Sequence, residues 1–224
     1  AYRLVTDARV ILESLVPEDL SRRAGKRSIK KALKKLRKAS NRDPDYPEAW
    51  AWLGIAQAAG QEWESAAESY RRALRLDPGD RVAAYGLVDH HVRRGDLDAA
   101  AGVLGDRVEH LPADDQAHAM MGEIYLERGR SELAAAAFER SLSAWPRQPD
   151  VLSRLGELDL EADRPGRAAH NLMRALELAP GRAGDYANLA HALLDQGDPG
   201  GARRAVAGAR DAGLDTARRL VVQA

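Results

Sequence analysis

The stretch PEAWAWLGIAQAAGQEWESAAESYRRALRLDP, Pro47 to Pro78, reads as two helices joined by a turn. In its first half Trp50, Leu53 and Ile55 fall at helical spacing, and the pattern ends at Gly60. Glycine suits a helix C-terminus because it tolerates a left-handed backbone. In the second half Ala66, Tyr70, Ala73 and Leu74 share one face. Pro78 stops that helix, since proline lacks an amide hydrogen and clashes with the preceding turn.

The pattern recurs. Pro44, Pro78, Pro112, Pro146 and Pro180 are spaced by 34 residues, and so are Ala32, Ala66, Ala100, Ala134, Ala168 and Ala202. Two ladders in one frame define five consecutive units, 47–80, 81–114, 115–148, 149–182 and 183–216. A fixed period of this length is the signature of a stacked helical repeat. Gly54, Gly122 and Gly156 hold one place within their units. A mid-helix glycine costs about 1 kcal/mol relative to alanine, so its recurrence predicts a close approach by a neighbouring helix backbone.

The order of residue types resembles the tetratricopeptide repeat. In the unit from Asp115 it runs Met121-Gly122, Tyr125, Gly129, Ala134, Phe138, Ser141 and Pro146. The match covers residues 47–216. Val88 and Ala190 replace the first-helix glycine, Arg107 replaces the later alanine, and Leu214 replaces the last proline. The resemblance implies an all-α fold, a right-handed superhelical solenoid of antiparallel helix pairs. Residues 1–46 read as a divergent, basic capping repeat: Ala32, Leu36, Ala39 and Pro44 are in frame, whereas LVTDARVILESLV ends about a dozen residues early and leaves PEDLSRRAGK as an insertion. Residues 217–224 read as the start of a C-terminal capping helix.

Composition agrees with helices and excludes several chemistries. Ala, Leu, Arg and Glu dominate, and one Phe is present. Without cysteine there is no disulfide, thiolate metal site or cysteine nucleophile. The six histidines lack metal-ligand spacing, GDPGGARR lacks the phosphate-loop lysine, and the i, i+4 carboxylates lack an evident pocket to shift their pKa. The expectation is a non-enzymatic chain without cofactor or metal. No run of about 18 apolar residues occurs. Cytoplasm and periplasm stay equally open, and the rich use of Ala and Arg suggests a bacterial, GC-rich source.

In the family that the chain resembles, first helices line a groove that binds a protein segment. Carried over, that groove comprises Trp52, Ile55, Tyr85, Asp89, Met120, Glu123, Leu126, Glu127, Glu157, Leu160, Glu161 and Asn188, with Val92, Asp150, His191, Leu194 and Asp195 alongside. The i, i+3, i+4 spacing independently puts such sets on one helix face. The mixture of carboxylates and apolar groups fits a basic, partly apolar partner segment; ordinary solvated surface is the competing reading. Trp52 reads either as a binding anchor or as a shield over the capping unit. The absence of lysine after Lys38 argues against a clamp for acidic chaperone tails, and only Asn188 fits an asparagine ladder. Trp50 and Trp145 read as core residues, and Trp63 as packing across its turn.

Charge is lopsided. Net charge is zero overall, yet residues 1–46 carry 13 basic and 6 acidic side chains. All six lysines lie in one stretch, and Arg22, Arg23, Lys26, Arg27, Lys30, Lys31, Lys34, Lys35, Arg37 and Lys38 form a candidate patch with no acid between Leu20 and Asp43. Ile29, Ala32, Leu33, Leu36 and Ala39 form the buried stripe of that helix. The patch fits an anionic membrane, nucleic acid or the acidic body of a protein, including a second copy. The lack of interleaved aromatics weighs against single-stranded nucleic acid. Two principal readings follow: an interaction scaffold that binds a partner segment in its groove, or a docking module for an anionic surface. A recognition domain of a larger enzyme or secretion component is a third.

Overall fold

A computed structural model describes residues 1–15 and 22–213, and among them every regular element is a helix. The order is α1 (Tyr2–Glu13), α2 (Arg23–Arg42), α3 (Pro47–Ala59), α4 (Trp63–Leu76), α5 (Arg81–Arg93) and α6 (Leu97–His110), then α7 (Asp115–Glu127), α8 (Ser131–Ala144), α9 (Pro149–Glu161), α10 (Pro165–Leu178), α11 (Ala183–Asp195) and α12 (Pro199–Asp211). The chain forms two compact units, Ala1–Pro112 and Ala113–Ala224. Within each, successive helices pair. The proposed capping helix at 217–224, together with Pro17 and Leu214, lies outside the described residues.

The 34-residue frame sets both ends of the helices. The second helices α2, α4, α6, α8 and α10 each stop two residues before the proline of their unit. Asp80, Asp96, Asp114 and Asp198 cap α5, α6, α7 and α12, each accepting from an amide in the first turn at 2.7–3.1 Å. Each first helix closes with a doubly hydrogen-bonded cap. After α3, the Gln61 amide donates to Ala58 O at 2.9 Å and the Glu62 amide to Gln57 O at 2.8 Å. The left-handed residue is the one after the helix C-cap: Gln61, Gly95, Gly129, Asp163 and Gly197. Gly60, expected in that role, keeps φ −82. Its neighbour Gln61 (φ 64) takes the left-handed position, because the frame counts from the helix and not from the nearest glycine.

The recurrent first-helix glycines admit side chains, which corrects the expectation of a backbone contact. A Cβ on Gly54 would enter the Tyr70 ring, one on Gly122 the Phe138 ring, and one on Gly156 the Leu172 side chain. Each large residue comes from the second helix of the same unit. Tyr70 is gripped from both sides, since a Cβ on Gly86 in α5 would also strike its ring. The ladder alanines Ala66, Ala100, Ala134, Ala168 and Ala202 are buried and let the helices nest.

At the N-terminus Val5, Ala8 and Leu12 of α1 pack on Ile29, Leu33 and Leu36 of α2 and on Leu53 and Ala56 of α3. The stripe expected for α2 is the one buried. Its length differs, however. In-frame second helices begin at the position of Ile29, whereas α2 begins at Arg23. Arg23 to Lys26, assigned above to an insertion, therefore form part of a helical overhang. Trp145 is also corrected: it is 56% exposed, because its backbone is already extended (φ −139, ψ 101) at the C-cap of α8. Trp50 is half-buried, with its indole N–H on Pro44 O at 2.8 Å. Trp63 carries the Arg93 guanidinium 4.7 Å above its ring.

Candidate functional site

Two surfaces carry concentrated charge. The first lies on α7, α9 and α11 in the second unit. There Glu123, Leu126 and Glu127 of α7 occupy the same frame positions as Glu157, Leu160 and Glu161 of α9, and as His191, Leu194 and Asp195 of α11. Helical spacing gathers each trio on one face. Leu126 and Leu160 are half-buried against the core and Leu194 is exposed, so an apolar row runs beside a row of carboxylates, Glu127, Glu161 and Asp195, with Glu123, Glu157 and His191 on its other side.

Arg154 links the first two helices. Its guanidinium donates to Glu123 at 3.0 Å and to Glu157 at 3.1 Å, and these carboxylates raise its pKa, the Glu157 hydrogen bond most. Glu127 and Glu161 are exposed and have no ion-pair partner among the described residues. His191 lies 3.6 Å from Asp195. The negative surface left over therefore centres on Glu127 and Glu161. Met120 and Asn188 are half-buried. Beneath this face Asp185 accepts from Ser153 at 2.5 Å and from Arg182 at 2.8 Å, and Arg182 also donates to Asp150 at 2.5 Å. That cluster locks α9 to α11 and leaves Asp150 engaged.

The groove candidates of the first unit are tied into the fold. Trp52 is half-buried against the cluster formed by α1, α2 and α3, and Arg9 sits 5.4 Å from its ring. Ile55 is half-buried between two core clusters. Tyr85 lies between the guanidinium groups of Arg81 (5.8 Å) and Arg107 (5.1 Å). Asp89 is exposed and accepts from Arg93 at 2.6 Å, and Val92 is exposed. Arg107, noted in the sequence only as a substitution for alanine, is buried and donates to Gly79 O at 3.1 Å.

The second surface is the basic helix α2. Arg22, Arg23, Lys26, Arg27, Lys30, Lys31, Lys34, Arg37 and Lys38 are exposed, whereas Lys35 is half-buried. No acid lies within the segment, but acids from other helices offset two of these charges. Asp7 of α1 accepts from Lys35 at 2.7 Å, and Glu62 accepts from Arg37 at 3.2 Å. The Lys35 hydrogen bond holds the Asp7 carboxyl below its ordinary pKa. Local sequence could not show either pair, because the partners are 28 and 25 residues apart.

Sequence reasoning also missed Asp159, which is 1% exposed. It accepts from Asn171 at 3.0 Å and forms ion pairs with Arg164 at 3.0 Å and Arg167 at 3.6 Å. Gln57 and Ser69 occupy the equivalent positions in the first full repeat and hydrogen-bond at 2.6 Å. Both pairs satisfy buried polar atoms between the helices of one unit. Among the described residues no three potential ligands converge on a metal site, and no helix is long and apolar enough to cross a membrane.

Family models agree with this geometry. One described as tetratricopeptide repeat matches residues 22–81 and 119–183, more than half of the chain, and a second matches 59–124. Among solved structures, PilF of Pseudomonas aeruginosa superposes with a TM-score of 0.69 at 20% identity, covering 92% of both chains. YrrB, described as a TPR protein with an unusual peptide-binding site, gives 0.67 at 17% identity over 80% of this chain and 93% of its own. MamA from Desulfovibrio magneticus RS-1 gives 0.60 at 22% identity, over 80% and 97%. At these identities the likeness is one of fold.

Proposed function

This chain belongs to the tetratricopeptide repeat family, and on that footing we propose that it is a protein-interaction scaffold whose α7–α9–α11 face binds a basic, partly apolar segment of a partner. The observation that carries the reading is the repeated acid–leucine–acid pattern on consecutive first helices, with Glu127 and Glu161 free to pair. YrrB, similar in fold, is described as having a peptide-binding site, which supports the mode and not the ligand.

The geometry limits the ligand further. Packed helices lie about 8–10 Å apart, and an extended chain advances about 3.3 Å per residue. A peptide crossing these helices therefore meets a new carboxylate about every third residue. Cations at that interval, with leucine-like residues between them, suit both rows. Arg154 is already shared by Glu123 and Glu157, so an incoming arginine finds its strongest unshared partners at Glu127 and Glu161. The basic helix α2 remains a separate surface under this reading.

The test is an anisotropy titration with a labelled ten-residue peptide that carries arginine at every third position and leucine between. Paired Glu127→Gln and Glu161→Gln should weaken it at least tenfold, since hydrogen bonds to charged groups contribute about 1.5–3 kcal/mol each. A peptide of the same composition with its arginines clustered should bind less well. Equal binding by wild type and the double variant removes the proposal.

A further inference from the structure

The six-residue overhang of α2 does more than extend a helix. Beside it lies an open pocket of about 690 Å³, formed by the flank of α2, the end of α3 and the α3–α4 turn. Its floor is apolar: Ile29, Leu33 and Ala59. The Ile29 side chain closes against Gly60, lying 3.7 Å from where a Cβ on that glycine would be. Its rim is cationic, with Lys26, Lys30 and Lys34 on α2 joined by Arg37. The one carboxylate in the lining, Glu62, is already bound to Arg37. Lys26, Lys30 and Lys34 are exposed and have no ion-pair partner among the described residues.

Frame and charge together explain why the pocket exists here. The other second helices begin immediately after their turn, so none runs past the end of the following first helix. Among the described residues only α2 overhangs, and it places Lys26 opposite the turn at Gly60 and Gln61. A volume in this range is typical of sites that enclose a side chain or a small ligand. The rim selects negative charge, and the floor selects an apolar group.

We propose that this pocket is a docking site for an acidic protein segment carrying one large apolar side chain, which seats on Ile29 and Leu33 while flanking carboxylates pair with Lys26, Lys30 and Lys34. The combination favours a peptide over the other anionic partners. A membrane surface would engage the exposed cations of α2 without needing the concave floor. A nucleic acid would meet them through its phosphates, and the rim offers no aromatic side chain on which bases could stack. The site is separate from the α7–α9–α11 face and takes the opposite charge.

The experiment uses the full chain and a labelled ten-residue peptide of aspartate and glutamate with one central leucine. A matched peptide with alanine in place of leucine serves as comparison. Phosphatidylserine vesicles and a 20-nucleotide single strand are measured in parallel. The leucine peptide should bind at least tenfold more tightly than the alanine peptide, in keeping with burial of one leucine. Lys30→Glu with Lys34→Glu should weaken it at least tenfold more, and Lys30→Gln with Lys34→Gln by a smaller factor. Circular dichroism checks that each variant is folded. Glu127→Gln with Glu161→Gln should leave binding unchanged, so failure here is distinct from failure of the scaffold reading. Equal affinity for the two peptides would overturn the pocket, as would absence of peptide binding. Tighter binding to the vesicles or the oligonucleotide than to the leucine peptide would also overturn it.

Discussion

The two units fill one frame with opposite surfaces. In Ala1–Pro112 the first-helix candidates Trp52, Ile55 and Tyr85 are held against helices or guanidinium groups, and free charge collects as cations on α2. In Ala113–Ala224 the first helices carry carboxylates beside a row of leucines. Buried positions differ far less: a small residue faces a large one, and an alanine sits at the nesting point, in both units. The frame constrains what is packed and leaves free what is exposed, so binding chemistry can change between units without disturbing the fold.

The largest break in that pattern should come from the glycines that look alike in sequence and differ in space. Gly122→Val pushes methyl groups into the Phe138 ring and should cost about 3 kcal/mol in urea unfolding. Gly102→Ala, in α6 with nothing within 4 Å of the added Cβ, should instead stabilise by about 0.5–1 kcal/mol. Equal effects would mean that the small–large contact is not what the frame protects.

A second contrast sets the two buried polar pairs against each other. Asp159→Ala strips the Asn171 amide and two arginines of their shared acceptor, at a cost of about 2–3 kcal/mol. The arginines are half in water, which keeps the loss below that for a fully buried ion pair. Gln57→Ala, which leaves only a neutral hydroxyl on Ser69, should cost about 1 kcal/mol. Denaturation of both variants ranks them directly.

A smaller effect distinguishes the turns. Gln61 and Asp163 occupy the left-handed position that glycine fills in the other three full repeats. Gln61→Gly should raise stability by about 1 kcal/mol, and Asp163→Gly by less, because aspartate tolerates this region better. The smallest is a pH dependence confined to the first unit. Burial, helped by the neighbouring His90 and by Arg71 and Arg94, lowers the His91 pKa against the opposing pull of Asp96. Its Nδ1 lies 3.8 Å from Asp96 Oδ2, too far for a hydrogen bond. On acidification the unfolded chain takes up this proton first, so stability is full above about pH 6.5 and falls below it. Urea midpoints at neutral and mildly acid pH should converge for His91→Gln more than for wild type.

The packing frame was legible because it repeats. Ala66 and Pro78 gain meaning from their counterparts 34 residues away. Gly86 was not legible, since it lies two places off the glycine ladder and serves a neighbour's tyrosine. The candidate faces were legible as sets of residue types, through helical spacing. Their pairing was not. Arg154 bridges two helices, Lys35 meets Asp7 from another helix, and Arg107 is buried under Tyr85. Each depends on distances between elements that a periodic pattern leaves unspecified. The α2 overhang escaped for a related reason: RRAGK has no apolar stripe of its own and is helical only as the continuation of a well-packed helix.

Hydrogen–deuterium exchange of the full chain, saturated in turn with the arginine–leucine peptide and the acidic leucine peptide, tests the two opposed surfaces together. Protection of α7 and α9 by the first peptide, and of α2 with the α3–α4 turn by the second, is the expected result. Protection of the same helices by both peptides, or of neither surface, would contradict it.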